Sequence, residues 1–584
     1  MSASPDPPAV RWCVLGNTVD KRVTAVTLNA LGETVDRIDL DADALQEFVA
    51  TQESAVQPRW VWSDAPSWYP QLLAAGVTVE RCHDLRLCHA ILRHTELLTD
   101  RTALLEAIRW DAAPGAAEPK APDSSALFEI EDDTERIAAE VPHDIDEALR
   151  EFERQRTAIA ASSDPGRLRL LLAAESAGAL AAVEMGSAGV PWDEEEHGRI
   201  LTETLGPRPA PGQKPVKMVE LAREVRRALG EHDTSLDSPP KLLRSLRRAG
   251  ISVESTSRWE LEDQEHPAIE PLLQYKRLAR LYSANGWAWL DEWVNDGRYH
   301  PVYVPGGVVT GRWASSGGGA LQLPRALRPA LRADSGWMLV SADVAQLEPR
   351  VLAAMAGDAA MAAAGRGTDL YSGIVESGIV ETRQEAKLAV LGALYGSTTG
   401  DSGRLVPQLR RIFPAAMGIV DRAAGTGEQG GVVSTWLGRS SQPPGPEWRR
   451  VQARASQPAA NTAEERRARS SARSHGRFTR NFVVQGTAAE WALAWIADLR
   501  LRLARMDPVR DAQRARASGP AFERHPHLVF FLHDEVIVHA PAEQAAEAAE
   551  AVRASAVAAG RLLFGDAPVD FPLDVQIAER AVKE

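Results

Sequence analysis

Residues 9–90 alternate short apolar runs with polar stretches. Trp12–Leu15, Val23–Leu28 and Trp60–Trp62 are too brief for helices and predict strands, with helices around 41–51 and 85–95 between and after them. This pattern predicts a small α/β domain. Residues 113–145 are rich in proline, alanine and acids and predict a linker or exposed loop. From 145 to 300 the apolar positions recur at three- and four-residue spacing, through 166–185, 216–229 and 268–295, and predict helices. Asp237-Ser-Pro-Pro predicts an N-cap and a proline start for a helix from Lys241. Further on, the apolar run Trp337–Ala342 ends at Asp343, and helices are predicted from Gln346 to Met355, over 380–395 and over 474–506. Leu528–Leu532 and Val536–His539 flank His533-Asp534-Glu535 and predict a β-hairpin. A helix over 542–563 and a strand over 572–577 follow. No internal repeat is present.

A chain of 584 residues is too long for one ordinary domain and predicts three to five cores. Its 44% apolar and 25% charged content is that of a globular protein. Three cysteines without metal-ligand spacing exclude a disulfide framework and a zinc site. The first residues lack the basic and apolar regions of a signal peptide, and no run is long and apolar enough to span a membrane. A cytoplasmic location is the expectation by elimination. The formal net charge of −14 speaks against a generally basic surface, but charge is unevenly placed. Between Arg439 and Arg480 stand ten arginines and three acids, enough to neutralise several phosphates. The serine, proline and alanine content of 440–472 also suits a solvated, partly disordered loop.

Four features carry candidate chemistry. Asp343 stands where a buried strand gives way to a helix; the commoner role for an aspartate there is a helix N-cap. Asp534 stands at a hairpin tip beside Glu535, two like charges that a bound cation would relieve, although acids also favour turns for backbone reasons. Asp343 and Asp534 converging on one site could hold two Mg2+ ions. Arg383, Lys387, Leu391 and Tyr395 follow each other at four-residue steps, so one helix face grades from cationic to apolar and aromatic, as a nucleoside triphosphate requires. In isolation the same pattern is an amphipathic helix with a solvated basic side. Arg477, Asn481 and Gln485 repeat the spacing with groups able to track a duplex and touch minor-groove acceptors, or simply to face water.

In this order the elements resemble the family A DNA polymerases, of which the large fragment of bacterial DNA polymerase I is the best-known type. Thr310-Gly-Arg312 with Leu321-Gln322 resembles the TGR and LQ segment, and Ser341 to Arg350 resembles motif A. Arg383 to Gly396 resembles motif B, Arg477 to Ala489 the RxxxNxxxQGTAA segment, and His533-Asp534-Glu535 motif C. The resemblance covers roughly 180–584 well and 1–175 poorly. It implies a multidomain α/β and α+β fold, a ribonuclease H-like exonuclease-type domain followed by a right-hand polymerase. The implied spans are 1–170 for the exonuclease-like domain, 171–300 for thumb and palm entry, 301–370 for palm, 371–485 for fingers, and 486–584 for the rest of the palm.

The resemblance also implies roles. Asp343 and Asp534 bind two Mg2+ ions, for which Mn2+ can substitute, and Glu535 supports them. Arg383 and Lys387 hold the incoming dNTP, with Lys387 also catalytic. Tyr395, Leu391, Gln346 and Glu348 line the nucleotide, Glu348 as a steric gate against a ribose 2′-hydroxyl. Arg312, Gln322, Arg439, Arg477, Asn481, Gln485 and His533 contact primer-template DNA. The expected protein is a monomeric bacterial enzyme, nucleoid-associated, with no membrane partner.

Departures are visible. Leu391 replaces an aromatic residue, Val344 and Pro349 alter motif A, the segment between Gln322 and Trp337 is short, and the family's C-terminal ending is absent. The first strands carry no Asp-x-Glu, and no tyrosine lies between Tyr69 and Tyr275. Proofreading is therefore expected to be lost, and no 5′-nuclease domain is expected. The alternatives are residual 3′–5′ exonuclease activity, or a noncatalytic primer-template-binding protein on a decayed scaffold.

Overall fold

The computed structural model describes residues 10–18, 20, 22–111, 140–231, 233–316, 318–367, 369–376, 378, 380–396 and 400–581. The chain divides into two compact units. One comprises 1–188, 302–317 and 336–577; the other comprises 189–301, 318–335 and 578–584.

The first unit opens with β1 (Trp12–Asn17), β2 (Val23–Leu28) and β3 (Thr34–Leu40), paired antiparallel in succession. After α1 (Ala42–Ala55), β4 (Arg59–Trp62) returns parallel to β1. After α2 (Ala65–Ala74), β5 (Cys82–Asp84) lies parallel to β4, so the sheet order is β3-β2-β1-β4-β5. Asp41, Asp64 and Asp84 accept backbone N–H groups at the starts of α1, α2 and α3 (Leu85–Leu92). The sheet is buried on both faces. Trp60 and Trp62 point into one core with Tyr69 and Leu72, while Val61 points into the other with Val14, Leu85 and Phe152. The predicted strands and helices of this region are present. β3 escaped the hydrophobic pattern because it is an edge strand, exposed along most of its length. The linker expected over 113–145 lies outside the described residues as far as 139; beyond that Val141 is buried, and the chain is helical from Ile145. Helices α4 (Ile145–Ala161) and α5 (Pro165–Ala188) follow.

The same unit contains a second sheet. The strand β6 (Trp337–Val344) leads through Ala345 and Gln346 to α6 (Leu347–Ala356), and α7 (Arg383–Tyr395) begins in a capping box of Thr382 and Glu385. Then come α8 (Pro446–Ala455), the 43-residue α9 (Thr462–Ala504), and a hairpin of β7 (His527–Leu532) and β8 (Glu535–Pro541). α10 (Ala545–Phe564) and β9 (Leu573–Ala578) complete the unit, and the sheet order is β7-β8-β6-β9.

Two alternatives that the sequence leaves open are decided here. Asp343 lies within β6 and is not a helix N-cap; Gln346 takes that position, at φ 50°. The stretch 440–472 is largely helical, because Asn461 and Glu464 form a capping box that starts α9 twelve residues before the predicted position.

The second unit is mainly helical, with Glu194–Leu205, Val216–Leu229, Pro239–Arg248 and Ile269–Asn285 packed around Leu201, Leu242, Leu246 and Leu272. The helix predicted from Lys241 starts at Pro239 behind Ser238, while Asp237 instead accepts a hydrogen bond from the Tyr275 hydroxyl at 2.6 Å. The predicted helix 268–295 is interrupted at Gly286, whose backbone is extended. Trp192, His197, Trp289 and Tyr299 form a ring cluster beside this break.

Candidate active site

The two aspartates separated by 190 positions come together through the antiparallel ladder of the second sheet. Asp343 pairs in register with Glu535, and the Val344 N–H donates to the Asp534 carbonyl at 2.8 Å. The hairpin tip is tight. His533 adopts a left-handed conformation at φ 53°, and the Asp534 N–H closes onto the Leu532 carbonyl. Three acids therefore crowd one end of the sheet. Burial, then the nearby Asp343 carboxylate, raises Asp534 to about 6. Burial also lowers His533 to about 4, with Arg312 adding to the shift.

Next to Asp534 opens a cavity of about 230 Å³, lined among others by Arg312, Glu348, Tyr371, Lys387, Leu391 and Tyr395. Helix α7 supplies the last three. Glu348, on the first turn of α6, has both oxygens engaged: Arg312 donates to one and the Tyr395 hydroxyl to the other, at 2.8 Å. Burial, then the charge of Glu348, pushes the Tyr395 phenol up, while Gln485 from α9 donates to the same hydroxyl. At the other end of α7, Arg383 forks onto Asp369 at 2.7 and 3.2 Å and lies over the Tyr371 ring. Gln346 donates to the same carboxylate at 2.9 Å and accepts from the Leu370 N–H. Asp369 was missed in the sequence because an isolated aspartate between loop residues carries no periodic signal.

Most sequence-predicted positions thus meet in one place. Asp343, Asp534 and Glu535 sit at the sheet end, Gln346, Glu348, Lys387, Leu391, Tyr395, Arg312 and His533 around the cavity, and Gln485 at its wall. Arg477 and Asn481 continue from Gln485 along α9, half-buried. Gln322 belongs to the second unit, in a 3-10 turn over Ala320–Gln322. Arg439 is placed differently from the expectation of a surface phosphate contact. It is largely buried and donates to buried Glu175 at 2.7 Å. Its guanidinium lies where a side chain on Gly311 (φ 87°) would have to go, so it braces the loop that carries Arg312. Beside it, Glu490 accepts from Thr435 and from the Leu437 N–H, and burial raises it to about 7.

The all-oxygen donor set of Asp343 and Asp534, two carboxylates brought to one end of the sheet, suits a hard cation. Among the described residues no group of three or more His, Cys, Asp or Glu side chains forms a ready-made metal cage. Magnesium needs none, since it takes one or two carboxylates and completes its shell with water and phosphate.

Residues 216–580 match the family model for DNA polymerase family A. The chain belongs to DNA polymerase family A. Among relatives, the thermostable DNA polymerase I of Thermus filiformis is 27% identical over 407 residues, which is 61% of this chain and 43% of that protein. The DNA polymerase I of Chloroflexus aurantiacus is 30% identical over 340 residues, covering 53% of this chain and 32% of its own. The chain therefore aligns with less than half the length of these family A relatives. Its fold is like that of a solved structure described as the POL domain of Pol1 from M. smegmatis in complex with DNA primer-template and dNTP. That likeness has a TM-score of 0.65 at 18% identity and covers 97% of this chain and 95% of that one. Within the family A frame, no helix among the described residues is long and apolar enough to cross a membrane.

Proposed function

We propose that the chain performs template-directed DNA synthesis, joining dNTPs to a primer 3′-hydroxyl. The observation that carries this reading is the convergence of Asp343 and Asp534 beside a cavity walled by Lys387, Arg312 and the Glu348–Tyr395 pair. Lys387 and Arg383 hold the triphosphate, with Arg383 sharing its fork between phosphate and Asp369. Leu391 and Tyr395 pack against sugar and base, and Glu348 fills the space a 2′-hydroxyl would need. Arg312, Gln485 and His533 face the primer-template end. Asp343 and Asp534 would hold two Mg2+ ions, or Mn2+, which when bound would supply charge stabilisation for phosphoryl transfer. Family membership and the ligands named for the solved POL domain support DNA primer-template and dNTP as partners.

We read 1–170 as a degenerate 3′–5′ exonuclease-like domain, 171–300 as thumb and palm entry, 301–370 and 486–584 as palm, and 371–485 as fingers. The mixed five-stranded sheet suits a ribonuclease H-like ancestry. Its strand β1 carries no acid, and Asp64 and Asp84 already accept helix-start N–H groups, which supports loss of proofreading. A monomer working in the bacterial cytoplasm, at the nucleoid, completes the reading. Primer extension on a labelled primer-template with Mg2+ tests it, with a parallel lane lacking dNTPs. Growth with dNTPs and an unchanged primer without them is the expected result. Shortening without dNTPs would restore the exonuclease, and binding without growth would leave a noncatalytic scaffold.

A further inference from the structure

The arginine-rich stretch is built as a helical hairpin. Trp448 of α8 sits against His475 of α9 with ring centroids 6.0 Å apart, and Gln452 donates to the Ala468 carbonyl at 2.9 Å. These contacts use the inner faces of both helices. The outer faces carry Arg449, Arg450 and Arg454 on α8, and Arg466, Arg467, Arg469 and Arg473 on α9, all exposed. Only three glutamates stand among these seven arginines, and Glu464 is engaged in the capping box. Glu447 and Glu465 offset part of the charge through exposed pairs with Arg450, Arg467 and Arg469. Among the described residues, Arg449, Arg454 and Arg473 make no ion pair and no side-chain hydrogen bond.

The placement of these cations is directional. Arg466, Arg469, Arg473, Arg477, Asn481 and Gln485 follow at three- and four-residue steps, one slowly winding stripe along α9 that ends at the cavity, where Gln485 donates to Tyr395. At 1.5 Å per residue the stripe is about 29 Å long from Gln485 to Arg466. A nucleic-acid strand that rises 3.4 Å per nucleotide would place about eight phosphates along it. On a chain of net charge −14, a locally basic stripe continuous with the site would draw a polyanion toward it.

We propose that α8 and the N-terminal half of α9 form a phosphate-binding surface that grips the nucleic-acid backbone up to about 30 Å from the nucleotide site. This rests on the reading that the cavity receives a primer-template end. The phosphates could belong to the single-stranded template or to the duplex, and the experiment separates the two.

The full chain is titrated by fluorescence anisotropy, over a salt series, against three labelled nucleic acids: a blunt duplex, the same duplex with a short 5′ overhang, and the same duplex with a long one. Arg449, Arg454, Arg466 and Arg473 are replaced together by Gln, and in a second variant by Lys. The Gln variant is expected to weaken binding about tenfold or more and to lower the slope of log affinity against log salt by roughly 0.7 to 0.9 for each phosphate no longer neutralised, while the Lys variant keeps both. Weakening confined to the long overhang assigns the surface to single-stranded template; equal weakening on all three assigns it to duplex. Unchanged affinity and unchanged slope in the Gln variant on every substrate would overturn the proposal, even if primer extension succeeds. A reduced slope in a chain that extends no primer would uphold the surface and reject the polymerase reading.

Discussion

At the residue scale, Asp343 and Asp534 sit at a strand end and a hairpin tip, where the backbone ladder holds the chain whatever side chain the position carries. Asp343→Ala or Asp534→Ala is therefore expected to abolish primer extension while primer-template affinity stays largely intact. Loss of binding in step with activity would reject the metal-ligand role. Leu391 presents a separate case. It lines the cavity between Lys387 and Tyr395, at a position where the family resemblance leads one to expect an aromatic ring. Leu391→Phe is expected to raise incorporation of dideoxynucleotides relative to dNTPs; an unchanged ratio would place residue 391 away from the sugar. These positions were legible in the sequence because four-residue steps on a helix survive without knowledge of tertiary structure. Asp369, Glu175 and Glu490 were not legible. Their importance comes from Arg383, Arg439 and Thr435 arriving from distant segments.

At the scale of elements, close packing between α9 and the loop that carries Arg312 leaves no room at Gly486. A Cβ there would lie 2.4 Å from the Thr435 methyl and 3.1 Å from the Thr310 carbonyl. Gly486→Ala is expected to cost about 1–3 kcal/mol in urea unfolding and to reduce primer extension by displacing Arg312. Wild-type stability and activity in this variant would show that Thr435 can rotate aside. In the second unit, His197 is packed between Trp192 and Trp289 and bonds to the Asn285 carbonyl at 3.0 Å. Burial lowers it from 6.5 to about 4. Its contribution is thus complete above pH 6.5 and is lost as pH falls from 6.5 toward 4, by up to about 3 kcal/mol. Unfolding followed by tryptophan fluorescence across that window should show the decline in the wild type and a flatter profile in His197→Asn; equal profiles would reject the assignment. Long, strongly patterned elements were readable from sequence. The edge strand β3 and the start of α9 were not, since one is exposed along most of its length and the other is set by a capping box within a polar stretch.

At the scale of the first unit as a whole, one buried ion pair ties the N-terminal sheet to α9. Arg500 of α9 donates to Glu184 of α5 at 2.6 Å and to the carbonyl of Glu80, which lies just before β5. Both charged side chains are under a tenth exposed. Removing one partner leaves the other buried without compensation, so Glu184→Ala is expected to cost about 3–5 kcal/mol. Hydrogen exchange should then rise in β4 and β5 and in the C-terminal half of α9 together. Exchange confined to one side would mean that the two regions fold independently of the pair. Such coupling would hold the N-terminal sheet in place whether or not it kept a chemistry of its own.

The length of α9 has a consequence of its own. The helix spans about 65 Å at 1.5 Å per residue, and its contacts are strung along it in fixed phase: Gln485 at the cavity, Glu490 under the turn of Thr435 and Leu437, Arg500 at the N-terminal sheet. Adding or deleting one residue turns everything beyond it by about 100° and shifts it by about 1.5 Å. Between Gln485 and Arg500 such a change cannot be absorbed locally, because the contacts on its two sides would fall out of phase with each other. Before Arg466 the same change displaces only the first turn of α9, Thr462–Glu465, and leaves the phase of everything after it unchanged. Divergence in length is therefore permitted at one end of this helix and forbidden at the other, and chain length becomes as much a determinant of the site as residue identity.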